Sequence, residues 1–284
     1  MTLKIQLAKE VPLDKIKWPK LAQLKYDGVR LICIVAPQGV LIKSRNDKTI
    51  NLPLLSGQLG RLAPGVYDGE LIYSTGAQDT RTKVSGMVNS AMHGGKIDET
   101  KLLFMVFDYL SLEDYYKESC GLSYDTRHFQ LRDLLAVAVL PNVKLADRFI
   151  VDTLADAMLV YNDFIKQGYE GLILKDAKSQ YQFKRSAEWI KLKETKTADL
   201  TCIAVTDGEG KNTGGIGALV CEGEVEDKQV VVNVAGLTNE LIFSNPIRFI
   251  GKTIEVKYNA IIQDSVTKEY SLFLPRFSCE RFDK

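Results

Sequence analysis

From residue 199 onward the chain keeps one rhythm, a short apolar or alternating run followed by a turn. "LTCIAVTDGEG", "IGALVCEG", "QVVVNVAG", "KTIEVKYNAI" and "YSLFLPRF" are five strand-like runs, with one helical "LTNELIF" after the third. They predict a small closed barrel of the OB type.

The preceding residues have a different texture. "VRLICIVA" and "GVLIKSR" flank "PQG" and read as a hairpin, and "GVYDGELIYS", "KLLFMVFDYL", "EGLILKD" and "EWIKLK" read as further strands. Apolar residues at helical spacing predict helices over 126–139 and 153–167, the second with Asp152 as N-cap and Gly168 as its stop. The fold class expected is α+β, with a first domain of antiparallel sheets and helices over 1–194 and an OB-fold β-barrel over 195–284. The hinge is expected in "KETKTAD", 193–199.

Charge divides at the same place. The whole chain carries a net +1, but residues 1–193 hold 27 Lys and Arg against 22 Asp and Glu, and residues 194–284 hold 10 against 14. A phosphate-binding surface is therefore expected in the first part. No run approaches the roughly 18 apolar residues that span a bilayer, and the N-terminus does not read as a signal peptide, so a cytoplasmic protein with no membrane partner is expected. Five scattered cysteines fit buried thiols in a reducing compartment, and with only His93 and His128 besides they make a zinc site improbable.

In "LAQLKYDGVRLICIV" a lysine, Lys25, stands at a strand end just before Asp27 and Gly28. A lysine becomes a nucleophile when burial or neighbouring cations hold it unprotonated. "WIKLKE" supplies Lys191 and Lys193 on one face of a strand, and one lysine to attack with two to neutralise phosphate suits nucleotidyl transfer. "YDGELI" sets Glu70 where a carboxylate can accept from a ribose hydroxyl, and "YEGLILK" sets Glu170 where it can serve a metal. Phe107, in "FMVFDYL", reads either as core or as a face for a base. Taken singly, each has an ordinary explanation as a turn, a surface charge or core. "IGKT" (250–253) lacks the first glycine of a P-loop, since Pro246 stands in its place.

The ordered series K-x-D-G-x-R, D-G-E-L, F-D-Y-L, E-G-L-I-L-K and W-I-K-L-K closely resembles the covalent nucleotidyltransferases, above all the ATP-dependent DNA ligases, and most of all the small bacteriophage enzymes. "SRNDKTI" (44–50) is similar to the family's short S-R element, and "LPRFSCERFDK" to its C-terminal motif with Arg281, Asp283 and Lys284. The resemblance implies that Lys25 attacks the α-phosphate of ATP and carries AMP. It implies that Arg30 and Glu70 position the ribose and Phe107 stacks on adenine. Lys191 and Lys193 would then contact the α-phosphate, and Arg45 the 5′-phosphate of a nick. Glu170, with Glu70 as a second candidate, would serve Mg²⁺, for which Mn²⁺ could substitute, and Arg281 and Lys284 would orient pyrophosphate.

The implied partner is nicked double-stranded DNA, sealed in repair, replication or recombination by a monomer with no DNA-binding domain ahead of "KYDGVR". An mRNA capping guanylyltransferase is disfavoured by "EGLILK" and "KLK", and an RNA ligase by D-G after the lysine. An NAD-dependent ligase would need further modules, and a non-catalytic OB-fold binder would not keep the full set of lysines and carboxylates. The acidic run "EGEVED" (222–227) is expected to face solvent. Lys211, in "DGEGKNTGG", reads equally as a phosphate contact or as part of a hairpin turn.

Overall fold

The computed structural model describes residues 3–74, 80–193, 196–258, 260–264, 267–273 and 275–281. The chain divides into two compact units, Met1–Lys193 and Glu194–Lys284.

The first unit holds two five-stranded sheets. Its strands are β1 (Leu7–Lys9), β2 (Lys20–Leu24), β3 (Val29–Ala36), β4 (Gly39–Ser44), β5 (Gly65–Tyr73), β6 (Leu102–Leu110), β7 (Val143–Leu145), β8 (Arg148–Val151), β9 (Gly171–Lys175) and β10 (Arg185–Lys193). One sheet runs β1-β10-β9-β2-β8 and the other β4-β3-β5-β6-β7. Pairing is antiparallel except for β1 with β10 and β6 with β7. The helices are α1 (Pro53–Leu59), α2 (Thr80–Met92), α3 (Leu112–Tyr116), α4 (Tyr124–Ala136) and α5 (Leu154–Lys166).

The period of two along each strand sorts side chains into layers. In the first sheet Ala22, Leu172, Leu174 and Ile190 face outward and pack with Ala157 of α5. In the second, Leu31, Cys33, Tyr67, Leu71, Phe104 and Val106 face outward and meet Leu55 and Leu59 of α1, Val84 and Val88 of α2 and Leu131 of α4. The inward residues Ile32, Ile34, Val66 and Leu110 of the second sheet share a core with Trp189 of the first, together with Ile5 and Tyr181. Two sheets therefore face each other, and the end of this space that Ile32 and Leu110 do not fill is where the polar residues gather.

The helix expected over 126–139 starts earlier, at Tyr124, because Ser123 accepts from the Thr126 N–H and caps it. At α5 the cap is Thr153 and not Asp152. Thr153 and Asp156 exchange side-chain-to-backbone hydrogen bonds in a capping box, and Gly168 follows in the left-handed region at φ 84°. Helix α2 was not expected, because its buried stripe of Thr80, Val84, Val88 and Ala91 is too small and too interrupted by polar residues to stand out.

The second unit contains β11 (Lys196–Asp207), β12 (Ile216–Val225), β13 (Lys228–Val234), α6 (Asn239–Ile242), β14 (Thr253–Tyr258), β15 (Ala260–Gln263), β16 (Tyr270–Phe273) and β17 (Arg276–Glu280). Five of the strands, β13-β12-β11-β14-β17, run in sequence across the sheet. The bridge between Ala235 and Arg276, with Phe277 N–H donating to Ala235 O at 2.8 Å, closes them into a ring. This is the OB-type barrel, around Leu200, Cys202, Leu219, Cys221, Val232, Ile254 and Val256. It carries seven strands where five runs were expected. "YSLFLPRF" is cut in two near Pro275, which has no N–H for a ladder, and "KTIEVKYNAI" is also divided, its second half pairing with β16 as an added hairpin. The acidic run does face solvent: Glu222 and Glu224 are exposed on β12, and Glu226 and Asp227 form the turn with φ 49° and 60°. The 207–215 segment is an ordered hairpin connection holding one 3₁₀ turn, Gly210–Asn212.

Candidate active site

Lys25 follows β2, and its N–H donates to Gly171 O at 2.9 Å, which ties the end of β2 to the start of β9. That bond brings Glu170 alongside, and the Lys25 ammonium donates to the Glu170 carboxylate. Gly171 is required here. Its φ is +140°, and a side-chain carbon would lie 2.2 Å from Leu192 O. Gly28 is required for the same reason, since a side-chain carbon would lie 2.1 Å from Leu71 O. The glycines of "KYDG" and "YEGL" let three strand ends approach closely enough to assemble the site.

Register places the cations. Lys193 pairs with Gly171, Lys191 with Ile173, and Trp189 with Lys175, while Gln23 pairs with Ile173 across β2 and β9. Directly opposed residues share a face, so Gln23, Ile173, Lys175, Trp189, Lys191 and Lys193 all point into the space between the sheets, on the side where Lys25 ends. Burial lowers the Lys193 pKa, and the charges of Lys191 and Lys25 push it the same way, against Glu170 and Glu10. Lys191 itself is paired with Glu10 at 3.0 Å.

The second sheet contributes Arg30, opposite Glu70 in the β3–β5 register. Burial pushes the Glu70 carboxyl up to about 7, against the pull of Arg30, Lys25 and Arg81. Arg30 forks onto Asp68 (2.8 and 2.6 Å) and donates to Gln6 O at 2.7 Å. Arg45, exposed just past β4, has its pKa lowered by partial desolvation and then by Arg185, Arg30 and Arg81. Like charges gathered in this way favour an anion beside them.

Phe107 owes its direction to a β-bulge. Asp68 faces Asp108 and Gly69 faces Val106, so Phe107 is the extra residue of β6. Its ring meets Trp189 of the first sheet edge-on at 5.6 Å, in the inter-sheet core that Ile173 also borders, and Phe107 and Ile173 are both only partly buried. Flat apolar walls from opposite sheets suit a planar base.

Arg281 is held within the second unit by Glu255 at 3.0 Å and Asp199 at 3.9 Å. Lys284 and Asp283 lie outside the described residues, and nothing is described of the Lys211 side chain. Sequence reasoning missed Asp68, Ile173, Lys175, Arg81 and Arg185. Asp68 and Lys175 stand inside quoted motifs, and strict alternation along those strands was the signal that could have found them.

Among the described residues no group of three or more His, Cys, Asp or Glu side chains is set to hold a metal. Mg²⁺ does not need one, since it is commonly held by one or two carboxylates together with substrate phosphates and water. The Asp27–Glu170 pair fits that requirement. Burial raises the Asp27 pKa, the Glu170 charge raises it further, and a divalent cation would relieve both.

Two facing sheets ending in a lysine–carboxylate pair, followed by an OB-type barrel, are the architecture of the nucleotidyltransferase domain and barrel of ligases. A model of the ATP dependent DNA ligase domain matches residues 6–193, and the chain belongs to that family. Curated relatives include the DNA ligases of Enterobacteria phage T6, 27% identical over 314 residues, and phage T4, 26% identical; each alignment covers 92% of this chain. The chain spans 64% of the length of those two relatives. Similar solved structures include a Lig E DNA ligase (22% identity, TM-score 0.78, 98% of each chain) and the bacteriophage T7 ligase with ATP (19% identity, TM-score 0.57, 98% of each chain). At these identities the structures bear on the fold. Among the described residues no helix is long and apolar enough to cross a membrane.

Proposed function

We propose that this chain is an ATP-dependent DNA ligase that joins 5′-phosphate and 3′-hydroxyl ends at nicks in duplex DNA. The observation that carries the reading is the Lys25–Glu170 pair on the inward face shared with Lys191 and Lys193. In the first step Lys25 Nζ forms a bond to the α-phosphorus of ATP, the bond to the β-phosphate bridging oxygen breaks, and pyrophosphate leaves. A protonated amine has no lone pair, so one proton must leave Lys25 first, and Glu170 already accepts a hydrogen bond from Nζ. Lys191 and Lys193 neutralise charge on the α-phosphate, Arg30 and Glu70 align the ribose, and Phe107 with Ile173 encloses the adenine. AMP then passes to the nick 5′-phosphate, held by Arg45, and the 3′-hydroxyl displaces it. Mg²⁺ would supply charge neutralisation at the phosphates, held by Glu170 with Asp27 or Glu70. Every step is in-line transfer at phosphorus, so positioning and electrostatics carry the rate.

The direct test is a singly nicked duplex incubated with the protein, Mg²⁺ and either ATP or NAD. Sealing with ATP alone is expected, and it should weaken as salt rises because phosphate contacts dominate the grip. Sealing with NAD, or labelling from α-labelled GTP in place of ATP, would overturn the reading.

Arg281 and Lys284 are assigned to the leaving pyrophosphate, a group present only in the first step. Arg281→Ala is therefore expected to slow self-adenylation about a hundredfold while sealing of a pre-adenylated nick stays within about threefold. Equal loss of both would show that Arg281, through Glu255 and Asp199, only supports the barrel.

A further inference from the structure

Lys175 is 1% exposed and ends β9 on the inward face, opposite Trp189. Its ammonium lies 3.9 Å from the centre of the Trp189 ring, 4.3 Å from that of Tyr124 and 4.8 Å from that of Phe107. It donates a hydrogen bond to the Phe107 carbonyl at 3.3 Å, and the Tyr124 hydroxyl donates to the same oxygen, also at 3.3 Å.

The surrounding charges show why a lysine here needs explaining. Asp68 is matched by the fork of Arg30, and Asp108 by that of Arg127. Those two pairs already pair off the two buried aspartates. Lys175 is a third buried cation, and its hydrogen bond runs to a neutral carbonyl. Desolvating an ammonium is costly, enough that burial pulls the Lys175 pKa down to about 7. Leucine or methionine would fill the same volume without that cost. What the lysine adds is a grip on Phe107. The register shift sets Phe107 apart as the extra residue of the bulge, and two side-chain donors fix its carbonyl while the same cation rests against the ring.

We propose that Lys175 is a positioning residue for nucleotide binding, holding the bulged Phe107 in the orientation in which its ring stacks on the adenine of ATP. This rests on the adenylate-forming reading of the site. A lysine that only balanced Asp68 and Asp108 would matter to stability alike with or without a base in the slot. A lysine that aims Phe107 matters to ligands that carry a base.

The experiment measures single-turnover self-adenylation against ATP concentration for wild type, Lys175→Met, Lys175→Arg, Phe107→Ala and the Lys175→Met/Phe107→Ala double variant. Lys175→Met is expected to raise the half-saturating ATP concentration about tenfold, with the saturated rate within about threefold of wild type. Inhibition by inorganic tripolyphosphate, which has no base, should not change, and Lys175→Arg should restore ATP affinity. In the Phe107→Ala background the Lys175→Met change should add nothing, because both act through one ring. An unchanged ATP dependence would overturn the proposal. So would an equal loss of tripolyphosphate affinity, or full additivity with Phe107→Ala. Should Lys175→Met fail to fold, Tyr124→Phe removes the other donor to the same carbonyl and keeps the ring wall. It is expected to weaken ATP but not tripolyphosphate, and no shift there overturns the proposal as well. A wild-type protein that forms no lysyl-adenylate would sink the adenylate reading itself, whereas adduct formation with unaltered ATP dependence in the variants would sink only the positioning role.

Discussion

Lys25→Arg and Lys25→Ala are each expected to abolish covalent labelling by α-labelled ATP, a loss of at least about a thousandfold. The two substitutions separate charge from nucleophilicity. Arginine keeps a cation beside Glu170, so folding and ATP binding should survive, but a guanidinium is not deprotonated in proteins and cannot attack phosphorus. Alanine removes both and leaves Glu170 without the amine it now accepts from. Acid should release the wild-type label, as expected for a phosphorus–nitrogen bond, and peptide mapping should place it on Lys25. Lys191 and Lys193 share the inward face and are the natural rescuers. Label found on either of them, or surviving in Lys25→Arg, would mean that the nucleophile has been misassigned and that Lys25 serves only as a charge.

Arg127→Ala is expected to destabilise the first unit by about 3–5 kcal/mol. Arg127 is 1% exposed and Asp108 0%, and the guanidinium forks onto that carboxylate at 2.7 and 3.0 Å while also reaching Leu122 O and Ser179 O. Truncation leaves a buried carboxylate whose other hydrogen bond, among the described residues, comes from the Tyr109 N–H, and it takes a donor from Leu122 O, while Ser179 O keeps the Tyr124 N–H at 2.7 Å. The double variant Arg127→Met/Asp108→Asn should recover much of the loss, because it removes the charge as well as its partner. Urea unfolding of all three proteins checks this. A single variant within about 1 kcal/mol of wild type would show that water reaches Asp108, and the pair would then be no more than an ordinary surface contact.

These two predictions draw on different kinds of legibility. Lys25, Glu70, Glu170, Lys191 and Lys193 were readable because the chemistry needs those residue types and each sits in a strand-end motif with a glycine beside it or a fixed spacing of two. The strands were readable because they alternate or run apolar. Less readable was whatever depends on the far side of a chain reversal. Arg127 lies 19 positions from Asp108, and Tyr181 lies 113 from Asp68. Thr153 took the cap expected of Asp152 because its side chain could pair reciprocally with Asp156, a matter of rotamer and turn geometry. The barrel's two extra strands arose where Pro275 interrupts one apparent run and a second run divides to pair with it.

By itself the sequence determined the β-rich character of both units, the change of texture near residue 194 and the expectation of a nucleophilic lysine with attendant charges. These depend on residue type and on spacing within a single strand, which the chain carries locally. Only the tertiary structure decided that Phe107 is a bulged residue aimed between the sheets, that Arg30 is committed to Asp68, and that a buried Lys175 lies against the Phe107 ring. Register between strands distant in sequence selects these neighbours, and burial in a space with little water makes each of them count.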